Sequence, residues 1–444
     1  MSQRNILFFW FPLAFSWLLM TIAGPWIQAV ISRQADAQTQ LAAFGIVMSL
    51  SVTIEAPVIM LLGTSTALAR DRQSYSILWR YMMLVNLFVT IVAAGFAFTP
   101  LFDLWLDGVL GIPEKIREAA RPGMAIMLLW SALIGYRRFY QGILIRTEHT
   151  GVVGQGTILR IVVSMVVAVL LGVFSGWSGV AIGAMAMILA VGVEAVYAFW
   201  MSRGPVADVQ QQARPPNVKP LSYRTAFKFH LPLALTSLLI LLVRPMIEWG
   251  LARTDDAEAA LAAWPVAYGI LLITRAGGMA YQEVVIALGK GPQQTRALQQ
   301  FAWGMGGSIS LFLVVVAWTP LIDVYLGPIL GAPQDLHPMV VNGARVAGLI
   351  PLLTTLHSYF RGLLMLADTT PPIYLAMFLN LIVTGGALLL ALEMALPPLV
   401  SATVALTVGM LAEVAILWGR YLANRYKLAD VWRRETASAP VMGD

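Results

Sequence analysis

The sequence has no cysteine, four histidines and few charges: only 12% of its 444 residues are Asp, Glu, Lys or Arg. Without cysteine there are no disulfides, no thiolate metal sites and no cysteine nucleophile. With so few histidines and no thiols, no metal site is expected. No G-x-x-x-x-G-K-[ST] phosphate loop, zinc-protease motif or dinucleotide fingerprint occurs, so an internal ATPase motor or a cofactor-dependent enzyme is not supported. The charge content is about half the quarter typical of soluble domains. Basic residues flank apolar segments, so the net charge of +6 reflects membrane topology and no nucleic-acid partner is expected.

What the chain has in quantity is apolar surface. It is 59% hydrophobic, with a mean hydropathy of +0.75, and its apolar runs exceed the roughly 18–20 residues that cross a bilayer core. The expected fold is all-α: a polytopic membrane protein with 12 transmembrane helices. The N-terminal apolar run is too long for a signal h-region and no A-x-A site follows, so it reads as an uncleaved first span. The spans fall near 6–31, 41–69, 76–101, 122–146, 151–174 and 178–202, then 226–252, 259–288, 296–321, 339–366, 371–394 and 397–421. The Pro/Gln/Arg-rich stretch between them divides the chain. The expected organisation is a six-helix lobe over 1–202, a linker over 203–225, a second lobe over 226–421 and a tail over 422–444. Twenty basic residues gather at the ends shared with both termini and the linker, against five at the opposite ends. The positive-inside rule therefore places both termini in the cytoplasm of a plasma (inner) membrane protein.

A shift of 220 residues superposes the two halves. "PLA" at 12–14 meets "PLA" at 232–234, Pro25 meets Pro245, Arg33 meets Arg253, and "LAAF" at 41–44 meets "LAAW" at 261–264. "TPLFD" at 99–103 meets "TPLID" at 319–323, "LGIP" at 110–113 meets "LGAP" at 330–333, and "QGIL" at 141–144 meets "RGLL" at 361–364. Both halves begin on the same side because six is even, so this is a parallel repeat. Parallel-repeat transporters bind substrate between the halves and work by alternating access.

Charges inside spans are costly and read as functional candidates. Glu55, with Pro57 nearby, has Arg275 as its repeat equivalent, which suggests a gating salt bridge or a coupling site. Arg244 and Glu248 are four apart and share a helix face. Pro245 between them removes a backbone hydrogen bond and is expected to kink the helix, as is Pro25 in the first half. Arg160 is matched by Asn380. Arg345 lies near a span end, where it can snorkel. Glu194, Glu283 and Glu413, at the inner parts of their spans, read as structural, as do the lone His230 and His357. Arg137, Arg138 and Arg361 are explained by inside anchoring, with an anion-concentrating vestibule as the alternative.

The 6+6 architecture resembles the multidrug/oligosaccharidyl-lipid/polysaccharide exporter superfamily and its MATE-like fold. "PLAF…QAVISR…LAAFGIVMSL", "PLAL…RPMIEWGLAR…AAWPVAYG", and "FRGLLM" followed by "TTPPI" are similar to stretches of the progressive ankylosis protein family. That resemblance implies a transporter exporting small polyvalent anions such as citrate, pyrophosphate or nucleotides such as ATP. The "RP" of Arg244 and Pro245 matches the family pattern, whereas Glu248 departs from an uncharged position. The expected substrate-binding residues are Arg244, Arg275, Arg160 and Glu248. Glu55, Arg275, Pro245 and Pro25 are expected to couple or gate. Expected partners are the anionic substrate, membrane lipids and a coupling proton or sodium ion. A MATE-type cation-coupled multidrug exporter and a lipid-linked flippase are the alternatives.

Overall fold

The computed structural model describes residues 2–214, 219–367, 369 and 371–438, and every regular element among them is helical. Eleven helices are long and apolar enough to cross a membrane. The segment expected as the fourth span is helical too, as Glu114–Ile126, a 3-10 turn at Met127–Leu129 and Trp130–Arg146. It is not among the eleven. Arg137 and Arg138 lower its hydropathy, whereas its repeat equivalent Gln334–Leu366 qualifies. The outward faces are apolar: Ile158, Val162, Val166 and Leu170 recur at four-residue spacing and are all exposed. That is the pattern of helices solvated by lipid rather than by water.

Prolines set several breaks. The stretch expected as one span over 41–69 is three helices, Ala37–Ile54, Ala56–Ile59 and Leu61–Leu68. Pro57 has no N–H to offer the Thr53 carbonyl, and the helix is interrupted at Glu55, inside that gap. In the second half, Tyr223–Leu241 ends and Val243–Leu251 begins around Leu242, one turn before Pro245. Pro25, its equivalent, leaves Gln3–Ile31 an uninterrupted helix.

The chain forms two compact units, and each draws on both repeat halves. One contains residues 23–265 with 329–336; the other contains 1–22, 266–328 and 337–444. In the latter, Ile6 is packed into a core with Tyr281, Val285, Leu298, Tyr359 and Leu363. Trp10 borders that core, and its indole N–H donates to the Gly277 carbonyl at 2.9 Å.

In the 23–265 unit, the helices Leu61–Leu68 and Trp130–Arg146 approach so closely that a side chain at Gly142 would collide with the Ser65 hydroxyl. Ser65 and Thr66 use that approach to donate to the Phe139 and Gly142 carbonyls, at 3.0 and 3.1 Å. Gly362 makes the same close approach to Val285 in the other unit. These contacts fix the helices that carry the charged clusters described below.

The linker is also fastened. Arg214 Nε donates to Asp71 at 3.0 Å and its Nη2 to Gln73 at 3.0 Å. Gln73 in turn exchanges hydrogen bonds with the Leu221 backbone. Burial alone would raise the Asp71 carboxyl; the Ser74 N–H and the Arg214 guanidinium outweigh it and hold the group below its ordinary range. A depressed folded-state value means that this tether is complete above the ordinary aspartate value of about 3.9 and is lost as pH falls through the lower, folded value. Arg214→Ala is therefore expected to speed proteinase K cleavage of the 203–222 segment several-fold at neutral pH. Wild type should approach the variant's rate only under strongly acidic conditions, measured with an acid-stable protease.

Candidate functional site

The helix Trp130–Arg146 places Arg137 and Gln141 one turn apart, so both point the same way. Thr150–Phe174 brings Arg160 and Gly179–Met201 brings Glu194. The Glu194 carboxylate is wholly buried and all three side chains converge on it. Arg137 Nη1 donates to Oε2, Arg160 Nε lies 3.0 Å from the same oxygen as an ion pair, and Gln141 Nε2 donates to Oε1 at 3.1 Å. Arg138 adds a 3.3 Å bond to Gln141 Oε1. A buried carboxylate is tolerable only when opposite charge and donors surround it.

The same arrangement recurs in the other unit. His357 Nε2 lies 3.1 Å and Arg361 Nη2 3.0 Å from Glu413 Oε1. Asn380 Nδ2 donates to Glu413 Oε2 at 2.7 Å, and Thr384 donates to Asn380. His357, Arg361 and Asn380 are Arg137, Gln141 and Arg160 shifted by 220 residues. Glu413 is Glu194 shifted by 219, because the helix Pro371–Glu393 ends one residue earlier in this register than Thr150–Phe174, with turns of equal length after each. The carboxylate anchors that the sequence treated as unrelated structural residues are thus the centres of two equivalent clusters.

The other expected residues divide between the units. Glu55, 7% exposed, accepts a 2.6 Å bond from Trp130 Nε1 and feels the charges of Arg137, Arg138 and Arg160. Its repeat equivalent Arg275 belongs to the other unit, where its Nε donates to Thr354 Oγ1 at 2.9 Å. Arg244 and Glu248 share the helix Val243–Leu251 as expected, and the Arg244 charge acts on Glu248. Glu248 is 2% exposed, and its Oε1 has no hydrogen-bond partner among the described residues. With Pro245, Ser49, Thr53 and Trp105 it lines a small void. Arg160 is brought together with Arg137 and Glu194, not with Arg244. Arg345 is exposed, as snorkelling predicts, with its guanidinium 5.0 Å from the Trp318 ring. His230 is buried and bonded to Thr64 at 2.9 Å. No group of three or more His, Asp or Glu suited to a metal occurs among the described residues.

A seam that sequence reasoning did not anticipate lies within the 23–265, 329–336 unit. Gly45 and Pro265 are repeat equivalents, and a side chain on Gly45 would press against the Pro265 ring. Equivalent residues that touch each other must lie on the axis relating the two repeats. Beside them, Gln28 Nε2 donates to the Pro265 carbonyl at 3.0 Å.

The fold is shared with solved transporter structures. Solved structures superpose over nearly the full chain: an inward-facing multidrug resistance MATE family transporter of the MOP superfamily has a TM-score of 0.73 at 14% identity, covering 96% of each chain. An outward-facing one gives 0.65 at 13% identity, covering 97% of each. The chain has the MATE transporter fold. A MOP superfamily transporter from Pyrococcus furiosus, described as having a binding pocket of reverse polarity that suggests a different function, matches at 0.62 and 14% identity over 97% of each chain. No protein-family profile matches the sequence. No curated protein sequence matches it either.

Removing one partner of a buried pair strands the other charge and costs about 3–5 kcal/mol. Glu194→Gln strands Arg137 and Arg160 together, so its melting temperature in detergent is expected to fall well below that of wild type. Gln141→Leu removes a neutral donor and the long 3.3 Å bond from Arg138 but leaves both ion pairs to Glu194 in place, and is expected to fall much less. Thermal unfolding followed by size-exclusion fluorescence measures the difference.

Proposed function

We propose that the protein is a secondary transporter that works by alternating access and exports a small anionic metabolite of the citrate, nucleotide or pyrophosphate class. The observation that carries this reading is the concentration of cationic side chains within the spans. In the 23–265 unit Arg137 is buried and Arg138, Arg160 and Arg244 are half-buried, and they act together with the carboxylates Glu55, Glu194 and Glu248. Arginine stays charged when buried and binds carboxylate or phosphate through a two-pronged fork. Solved relatives in fold adopt both inward- and outward-facing conformations, and one is described as having reversed pocket polarity, so the fold admits more than one pocket polarity. The resemblance of the Arg244–Pro245 stretch to the progressive ankylosis family points the same way. On this reading Arg244, Arg275 and Arg160 supply positive charge to the substrate and Glu248 orients Arg244. Glu55 and Arg275 are the coupling or gating pair, and the break just before Pro245 shapes the path, with Pro25 as its counterpart in an uninterrupted helix.

A second reading rests on Glu55. A buried carboxylate at a helix interruption, held by the neutral Trp130 indole, suits the proton or sodium ion of a MATE-type multidrug exporter.

Proteoliposome flux of citrate, ATP, pyrophosphate and an organic cation dye separates the two. The anion reading expects flux of at least one anion, falling about tenfold or more in Arg244→Ala, the effect of losing one charge-assisted contact. Anion flux unaffected by Arg244→Ala, together with dye efflux abolished by Glu55→Gln, would establish the second reading instead.

A further inference from the structure

The two charged clusters differ at one chemically decisive position. Around Glu194 the repeat supplies Arg137, whose charge is permanent; around Glu413 it supplies His357, whose charge is not. We propose that His357, seated on Glu413, Arg361 and Asn380, is a proton-binding site that biases the protein between its access states. This deepens the transporter reading and rests on it.

The geometry is that of a prepared seat. Glu413 already has a permanent cation in Arg361 at 3.0 Å and a neutral donor in Asn380 at 2.7 Å. His357 is therefore not needed to neutralise it. Its Nε2 faces the carboxylate, while its Nδ1 is buried with no protein hydrogen-bond partner among the described residues. The charged groups acting on the ring are Arg361 from its own helix, Glu413 from Pro398–Ser438 and Arg275 from Ala257–Met279. A proton added here converts a balanced Arg361–Glu413 pair into a cluster with one net positive charge. Such a charge is tolerated only where water or an anion reaches it. Proton binding and the exposure of Nδ1 are therefore thermodynamically linked, and whichever access state hydrates the ring is favoured by acid. The first-half cluster, locked in its charged form by Arg137, is the internal reference for the second.

With only four histidines in the chain, ¹⁵N-histidine NMR of the intact protein can follow each imidazole. The resonance absent from His357→Gln is expected to pass from neutral to protonated as the pH is lowered from about 8 to about 4. In proteoliposomes, anion flux by wild type is expected to vary several-fold across that range, and His357→Arg, which installs the first-half residue, should abolish the variation. An imidazole that keeps one protonation state throughout, or a His357→Arg pH profile identical to wild type, overturns the proposal. If no substrate moves while the imidazole titrates, the transport reading fails and the proton site stands.

A second inference comes from the seam. Arg33 donates through Nη1 to the Leu330 carbonyl at 2.9 Å and through Nη2 to Ile329 at 3.1 Å. Its repeat equivalent Arg253 does the same to Leu110 at 2.8 Å and Val109 at 3.4 Å, with its guanidinium 4.0 Å from the Trp249 ring. Leu110 and Leu330 are themselves equivalents, each followed by a glycine at positive φ, Gly111 and Gly331. Each arginine therefore caps the carbonyls of a turn belonging to the opposite repeat, on either side of the Gly45–Pro265 contact. We infer that Arg33 and Arg253 are reciprocal latches that hold this seam closed. Carbonyls at a helix end lack intrahelical donors, so a guanidinium or water satisfies them equally well, and the latch can release without stranding a charge.

The cysteine-free sequence makes the test direct. Ser49→Cys reports on the void lined by Leu110, Thr53 and Glu248. A membrane-impermeant maleimide is expected to label it about tenfold faster when Arg33→Gln and Arg253→Gln are combined, since two charged hydrogen-bond sets are removed. Each single variant should give a smaller increase, which covers the case of a poorly folded double variant. Equal labelling of Ser49→Cys alone and of Ser49→Cys combined with either arginine variant overturns the inference.

Discussion

A carboxylate held among membrane helices dictates what its neighbours must be. Glu194 is wholly buried, and the two helices beside its own must deliver donors and cations to it, Arg137 and Gln141 from one and Arg160 from the other. Glu413 imposes the same demand on the corresponding two helices of the other half. Each set is thereby held as a group, since withdrawing one helix would strand a charge at a cost of several kcal/mol. The close approaches at Gly142 and Gly362 serve that demand. They seat the helices carrying Arg137 and Gln141, or His357 and Arg361, at fixed positions against their neighbours.

The repeat supplies a symmetric scaffold, and the chemistry lies in its departures from symmetry. Glu55 with its Trp130 donor has become Arg275 with Thr354. Arg137 has become His357, and Gln28, bonded to the Pro265 carbonyl, has become the buried Glu248. Two identical halves would place identical charges at identical depth, and like charges cannot neutralise each other. Divergence at these positions gives one half cations where the other has carboxylates or neutral groups. That is what a solute-binding path and a titratable switch require.

Much of this was legible in the sequence, for reasons tied to particular residues. The fold follows from apolar runs of bilayer length, and the repeat from prolines, glycines and aspartates that keep one 220-residue register. Pro57 explains the interruption at Glu55, although the stretch reads in the sequence as one continuous span. The paired clusters escaped notice because a single deletion before Pro398 moves Glu413 out of register with Glu194, so two equivalent residues read as unrelated. The fourth span is weak by hydropathy for the same reason that it matters: it carries Arg137 and Arg138. The partners of Arg33 and Arg253 could not be read at all. They are backbone carbonyls, which every residue possesses and no side chain announces.

These two kinds of contact divide the molecule into parts that must stay together and a part that can separate. An Arg–Glu pair sealed from water resists opening, because both ions must be rehydrated or left bare. A guanidinium on carbonyls at a helix end has an easy substitute, since water satisfies the same acceptors. The Gly45–Pro265 contact is apolar and small, so it too can part at modest cost. Rearrangement between access states is therefore expected to run through the seam latched by Arg33 and Arg253, leaving the Glu194 and Glu413 clusters intact within their helix groups. The His357 proton then acts where it has leverage: it changes the charge of a cluster that moves as a whole, without breaking the contacts that hold it.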